Sequence, residues 1–482
     1  MNIPAINISS ILPSVVLAVV GILIMVIDPF LDRAQQRITA SIALGGVALA
    51  GLAVVPMANL TGTYYSKLWV LDDFTIFFHA VFLFIAGLTI LSSMDFISRE
   101  NLPQGEFYAL LLFAAAGMLM MSGSNDLMMI FLGLEILSIA TYVLAGYRRT
   151  DLKSNEAALK YFLLGSFASA FFLYGTALVF GATNSTNLAT IGAALGGPEI
   201  QITLVYLAAG LILIALCFKV AVAPFHIWTP DVYEGAPSPV TGFMSVGPKA
   251  AGFAVLFRIF YTAFPAILNR WTDAIWAIAA LTMVLGNVIA VIQPNIKRML
   301  AYSSIAHAGY VAAAFAASSK RGLSAALFYL LAYSAMNLGA FAIITLLSRS
   351  EDKLVMLNDY SGLAAKRPGL AALLSLFMLS LAGVPGTAGF AGKFFIFRST
   401  VESGLLWLTI IGVVTTVVSF YYYLSVIVQM YMKPPSEEFS NTGKAGGWSI
   451  ALLFSAAATL YLGLFPSHIL DWAASAALSV IH

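Results

Sequence analysis

The chain has 482 residues, 60% of them hydrophobic and only 10% charged, with a mean hydropathy of +0.92. A water-soluble domain carries about 25% charged residues, so that class is excluded and the chain reads as an all-α polytopic membrane protein. The net charge of +2 marks no nucleic-acid partner; the partner the composition does imply is the lipid bilayer.

A helix needs about 20 apolar residues to cross about 30 Å of hydrocarbon. Fourteen such runs are predicted. The first five are Ile11–Ile27, Ile38–Ala58, Phe74–Met94, Phe107–Met121 and Leu127–Tyr147. The next five are Ala157–Gly181, Ile202–Ala223, Val240–Ala263, Ala274–Gln293 and Met299–Ala317. The last four are Leu323–Leu347, Leu370–Val401, Leu405–Met432 and Trp448–Phe465. The first run lacks a positively charged start and is followed by Asp28-Pro29-Phe30, so it reads as a span and not as a cleaved signal peptide. The gaps leave no room for a soluble domain, and no nucleotide-binding glycine motif accompanies them, which argues against an ATP-driven pump.

Orientation follows from the Lys and Arg between spans. One face collects Arg33, Arg37, Arg99, Arg148, Arg149, Lys153, Lys297, Arg298, Arg349, Lys353, Lys366, Arg367, Lys433 and Lys444. The other has Lys67, Arg270, Lys320, Arg321 and Arg398. The bias puts the first face in the cytoplasm and both termini on the periplasmic side of a bacterial inner membrane; a mitochondrial inner membrane is the less favoured setting. The lone Cys217 in LILIALCFKV reads as a small buried hydrophobe. His79, His226, His307, His468 and His482 show no metal-ligand spacing. No redox cofactor or metal is expected on this chain.

Two spans are interrupted. The seventh continues into CFKVAVAPFHIWTPDVYEGAPSPV, and the twelfth reads LSLAGVPGTAGFAGKFFIF. Proline removes a backbone donor and glycine loosens the chain, so both are expected to unwind locally. Unwound backbone at membrane depth is tolerated only inside protein or beside a wet cavity. The breaks lie five spans apart and therefore cross in opposite directions, which predicts an inverted repeat of the kind that forms transporter cores. The expected organisation is one membrane domain, 1–482: helices 1–3 in 1–105, repeat one (helices 4–8) in 106–265, repeat two (helices 9–13) in 266–435, and helix 14 with the C-terminus in 436–482.

Ionisable groups inside spans carry the functional signal. A charge at bilayer depth costs about 2.5 kcal/mol or more, and such groups face a protein interior or wet cavity and move ions. Glu135 lies mid-span in FLGLEILSIATY, Lys219 precedes the first break, Lys249 follows Gly247-Pro248, and Lys393 follows the second break. Lys219 is the expected partner of Glu135. Interacting buried groups titrate as a set, which suits a proton relay. Lys160 reads either as a relay member or as a side chain snorkelling to the interface. Arg258 reads as an interface anchor, His226 as a cap of the unwound turn or a relay, and His307 as a relay in a run of alanines. Asp231 and Glu234 are too few for a cation site and read as partners of the unwound turn.

KVAVAPFHIWTPDVYEGAPSPVTGF, SVGPKAAGFAVLFR, LGLEILSIATY and LAGVPGTAGFAGKFFIF together resemble the antiporter-like subunits of respiratory complex I over nearly the whole chain. The resemblance implies proton translocation driven by NADH–quinone electron transfer, with NADH, FMN, iron–sulfur clusters and quinone held by other subunits. It implies neighbours in the membrane arm, among them an antiporter-like subunit M and small subunits. Residue by residue it makes Glu135 and Lys219 an ion pair, Lys249 the central lysine and Lys393 the terminal proton-exchanging lysine, with Lys160 and His226 at accessory positions. In the M type and its antiporter relative a glutamate stands where this chain has Lys393, and the L type is longer with a lateral helix; both details favour the remaining type. The competing readings are a subunit of a multisubunit sodium/proton antiporter and a scaffold that spaces other membrane subunits.

Overall fold

Hydrocarbon offers the backbone no hydrogen-bond partners, so a chain of this composition must satisfy its peptide groups within helices. A computed structural model describes residues 7–32, 35–197, 200–348, 354–435 and 446–481. Arg33, Arg349, Lys353, Lys444 and His482 lie outside the described residues. The first eight helices are α1 (Leu12–Ile27), α2 (Arg37–Val54), α3 (Asp73–Arg99), α4 (Gln104–Gly123), α5 (Leu127–Ala145), α6 (Leu152–Thr183), the short α7 (Leu188–Ala194) and α8 (Ile202–Val220). There follow α9 (Trp228–Gly235), α10 (Ser238–Thr262), α11 (Leu268–Val291), α12 (Ile296–Ala316), α13 (Lys320–Leu347) and the one-turn α14 (Leu363–Lys366). The chain ends in α15 (Pro368–Ala382), α16 (Ala388–Glu402), α17 (Leu406–Met432), α18 (Gly447–Leu464) and α19 (Ser467–Leu478). Among the described residues 13 helices are long and apolar enough to cross a membrane. The remaining expected span is the pair α15–α16.

Helix starts are set by side chains that accept the free N–H groups of a first turn. Asp72 accepts from Thr75 N at the head of α3, Asp126 from Met128 N at α5, and Asn295 from Lys297 N at α12. Between α2 and α3 a small antiparallel hairpin, β1 (Gly62–Tyr64) and β2 (Trp69–Leu71), turns through Tyr65, Ser66 and Lys67.

Nearly every residue of α10, α12 and α13 is buried. These three form the centre, with α3 packed on α10 and α13. The periphery is the reverse: α1, α6 and α17 expose Ile22, Val26, Phe162, Phe167, Val414 and Val417 to the surroundings. Apolar side chains outside and polar ones inside is the arrangement a bilayer selects. Four short helices, α7, α9, α14 and α19, lie outside the expected spans. The 12 residues of α19 are too few to cross, and they pack on α3 and α13 with Trp472 against Phe77 at 4.8 Å.

Both interrupted spans break, and in the same way. The first ends at Val220; Ala221 turns left-handed (φ 59°), its N–H bonds Phe218 O and the next N–H, of Val222, bonds Cys217 O. The second ends at Ala382; Gly383 turns left-handed (φ 98°), its N–H bonds Ser380 O and that of Val384 bonds Leu379 O. This is the Schellman cap, which closes a helix end by satisfying carbonyls that have no helical partner. Glycine takes the left-handed turn without strain; Ala221 does so at a steric cost of about 1–2 kcal/mol.

The second break also needs close backbone approach. A Cβ on Gly389 would lie 1.8 Å from the Ser380 carbonyl oxygen, a backbone atom that cannot step aside. Gly389→Ala is therefore expected to cost about 3 kcal/mol through overpacking, read as a lower unfolding temperature or loss of the chain from assembled membrane complexes.

Candidate functional site

The buried charges lie on elements that cross the middle of the bundle. Lys219, Lys249 and Lys393 are 4%, 3% and 3% exposed, and each ammonium stands over a tyrosine ring. The distances to ring centroids are 5.8 Å for Lys219 over Tyr161, 5.9 Å for Lys249 over Tyr233, and 4.9 Å for Lys393 over Tyr310. A ring face attracts a cation without accepting its proton. Each lysine also keeps one set of polar partners.

Lys219, on the last turn of α8, donates to Ser138 Oγ at 2.8 Å. Glu135, one turn back along α5, instead accepts from the Ser169 hydroxyl of α6. The expected direct ion pair is thus absent. The pair is held apart by two serines, because Ser138 meets the lysine first and Ser169 occupies the carboxylate. Beside Lys219 is a cavity of about 10 Å³, lined also by Ser138, Tyr142 and Ser169 among apolar neighbours.

Lys249 donates to Ser304 Oγ of α12 at 2.6 Å. The helix beneath it has a missing donor, since Pro248 cannot bond Met244 O; the Tyr233 hydroxyl fills that gap at 3.1 Å. Tyr233 thereby repairs the helix and supplies the ring under the lysine. Lys249, Ser304, His307, Tyr329 and Tyr333 line a second cavity of about 10 Å³. His307, predicted as a relay, is the junction beyond it: Nδ1 meets Tyr329 Oη at 2.5 Å and Nε2 meets Tyr423 Oη at 3.0 Å. Tyr423 Oη is in turn 2.5 Å from Ser303 Oγ.

Lys393 closes the row. From α16 it reaches back to the open end of α15 and donates to Leu381 O at 3.0 Å and Ala382 O at 3.1 Å. Carbonyls at a helix C-terminus carry partial negative charge, so the break itself makes the seat for an ammonium. Tyr310, under this lysine, joins Thr416, Asn287 and Tyr422 through hydroxyl and amide bonds.

The accessory residues separate from this row. Lys160 is half-exposed and pairs with Glu156 at 2.7 Å and Asp231 at 2.8 Å. Asp231 also takes Arg298 at 2.8 Å, and Glu234 takes Arg298 at 3.0 Å and Lys153 at 3.3 Å. Asp231 and Glu234 thus partner basic side chains. His226 lies in the link 221–227; its carbonyl accepts from Thr229 N, and its buried Nδ1 has no partner.

Two basic residues are placed differently from the sequence reading. Arg258 is no interface anchor: it is buried, bonds Asp72 in a two-pronged pair at 3.0 and 2.9 Å, and lies 4.7 Å from the Phe74 ring centre. The acidic cap of α3 reaches into the bundle and captures it. Lys297, counted as a loop charge, is buried and donates to Ala236 O at 2.6 Å, at the end of α9. The tyrosines around His307 also went unread, since an isolated Tyr in an apolar run looks like core. Among the described residues no group of three or more His, Cys, Asp or Glu could hold a metal.

Residues 124–419 match the family described as NADH:quinone oxidoreductase/Mrp antiporter, TM. The chain is 48% identical to NADH-quinone oxidoreductase subunit N of Trichlorobacter lovleyi, over 98% of this chain and 97% of that one. It is 45% identical to NADH-quinone oxidoreductase subunit N 1 of Solibacter usitatus, over 97% and 96%. Among solved structures it is similar to a chain of respiratory complex I from Thermus thermophilus, at 36% identity and TM-score 0.81 over 95% of this chain and 98% of that one. A chain of the Mrp complex from Dietzia sp. shares the fold, with TM-score 0.85 at 22% identity over 99% and 98%.

Proposed function

The chain belongs to the NADH:quinone oxidoreductase/Mrp antiporter family, among the subunit N proteins, and we infer that its buried row of lysines carries the protons. It is a proton-translocating membrane-arm subunit of NADH:quinone oxidoreductase, working beside other membrane-arm subunits. The observation that supports the relay most directly is the continuity of its centre: Lys249, Ser304, His307, Tyr329 and Tyr423 meet by hydrogen bonds or across one water-sized cavity.

The relay works by moving protons between groups that are expensive to charge. A neighbouring subunit that changes the charge near Glu135 alters the field at Lys219. Lys219 then yields its proton toward α10, where a Cβ added at Gly252, one turn beyond Lys249, would lie 3.4 Å from the Lys219 stem. Lys249 passes charge through Ser304 and His307 to the side of α12 and α13 that faces Lys393. Lys393 exchanges with the outer face. Each proton moves against about 2.3 kcal/mol per 100 mV, with the driving energy supplied by electron transfer on other subunits. FMN, iron–sulfur clusters, NADH and quinone belong to those subunits in this reading.

Residues 106–265 and 266–435 act as two inverted units. The shared cap at Ala221 and Gly383, and a lysine over a tyrosine at each break, support that division. The charge bias supports both termini on the periplasmic face of a bacterial inner membrane. Lys160 and His226 serve at the cytoplasmic mouth of the first unit.

The antiporter reading is the second one. Lys393 in place of a glutamate disfavours it. On a native gel of solubilised membranes, the chain is expected in a very large band that stains for NADH dehydrogenase activity. A smaller band without that activity, with sodium-dependent proton exchange in vesicles, would favour the antiporter.

A further inference from the structure

A groove of about 770 Å³ opens between α1 and α5, with α4 as its floor and the hairpin β1–β2 closing one end. Its walls are almost wholly apolar. On α1 the lining residues Ile11, Ser14, Val15 and Ala18 keep the i, i+3, i+4, i+7 spacing of a single helix face. On α5 the lining runs from Met129 to Ala140, about 16 Å at 1.5 Å per residue. One leaflet of a hydrocarbon core about 30 Å thick is about 15 Å deep. The groove is therefore one leaflet long.

Its closed end has the residues that mark a membrane interface. Tyr65 and Trp69 line it, and Lys67 is exposed at the hairpin turn. Aromatic rings gather at headgroup level, and basic side chains there attract phosphate. The turn is tied down: Lys67 O accepts from the Asn125 and Asn187 side chains at 3.1 and 2.9 Å, and Asn125 N–H bonds Leu68 O. Two polar groups near this end are unsatisfied. Ser14 Oγ and Trp69 Nε1 are buried and have no hydrogen-bond partner. A buried donor without an acceptor is costly, so a ligand that reaches this end gains by bringing one.

We propose that this groove is a binding site for one acyl chain of a phospholipid, whose ester carbonyl accepts from Trp69 Nε1 and Ser14 Oγ and whose phosphate meets Lys67. An apolar tail one leaflet long, an acceptor at its head and an anionic group beyond it belong together in that class of molecule. A neighbouring helix fits less well, because its backbone carbonyls are bonded within itself, whereas a lipid ester brings free ones. The lipid comes from the leaflet on the hairpin side, the periplasmic one in the orientation given above. The site lies apart from the lysine row and does not depend on the relay reading.

Photolabelling of the assembled complex tests the site. The complex is placed in vesicles of phosphatidylethanolamine and phosphatidylglycerol that include phosphatidylethanolamine with a diazirine on one acyl chain, and labelled peptides are located by mass spectrometry. Label is expected on the groove faces of α1, α4 and α5. Ala116→Phe, which fills the floor, is expected to lower that label at least about tenfold. Trp69→Phe keeps an aromatic ring and removes the N–H; it is expected to lower the label about fivefold, the worth of one hydrogen bond. Lys67→Glu should lower it by a similar factor. If Ala116→Phe fails to assemble, the other two variants decide. Absence of label from these faces in the wild-type complex overturns the proposal, as does label unchanged in Trp69→Phe and Lys67→Glu. An electron cryo-microscopy map of the complex with a helix of another subunit in the groove overturns it as well.

Discussion

Lys249→Met should lower NADH-driven proton translocation by at least about tenfold, a change of 1.4 kcal/mol or more in the limiting step, while the complex still assembles. Lys249 is enclosed by α10, α12 and α13 and has one hydrogen-bond partner, Ser304. Methionine occupies nearly the same volume and removes a charge the interior does not otherwise balance. Replacing buried charge with well-fitting apolar atoms is often neutral or stabilising. Loss of pumping can then be assigned to the missing proton carrier and not to a damaged fold. Pumping measured by a pH-sensitive dye in vesicles, with the chain's abundance in the complex measured beside it, separates the two.

Lys393→Arg should be equally damaging for pumping and nearly silent for assembly. A guanidinium keeps the positive charge and can still donate to Leu381 O and Ala382 O at the end of α15. It does not release its proton at any pH the protein meets. A lysine needed only to cap the helix break would tolerate the exchange. A lysine that must alternate between charged and neutral would not, and translocation is expected to fall at least about tenfold. Lys393→Met makes the complementary case, since it leaves two buried carbonyls without a partner at about 1–3 kcal/mol each and should reduce assembly as well.

The sequence carried the spans because apolar length is a direct consequence of bilayer thickness, and the two breaks because Pro224, Gly383 and Pro385 are incompatible with an unbroken helix there. The four charged positions were legible for the same reason: in an apolar run a charge is an exception that needs a cause. Pairing was less legible. Glu135 and Lys219 have opposite charges and lie two spans apart, yet Ser138 and Ser169 intercept both, and serines in a helix give no sign from sequence alone of which way they turn. Lys297 and Arg258 were misread because their positions near span ends match interface residues; only Asp72 and the Ala236 carbonyl, distant in sequence, explain their burial. Tyr329 and Tyr423 were hidden for another reason. Each is a common core residue on its own, and both gain meaning only where α13 and α17 converge on His307.

The row crosses the bundle in its sequence order. Glu135 and Lys219 stand toward the edge where α5 and α6 expose apolar side chains, Lys249 and His307 lie at the centre, and Lys393 stands toward the edge where α16 and α17 expose others. In the proposed relay, a charge change arriving at one edge is delivered to the other within this chain.

The measurement closest to that claim is the number of protons translocated per NADH oxidised, in sealed membrane vesicles containing wild-type or Lys219→Met complex. A lysine that starts the row should be indispensable, so the variant is expected to pump few protons and to show impaired coupled NADH–quinone turnover while its complex assembles. An unchanged proton-to-NADH ratio at normal turnover would contradict the account.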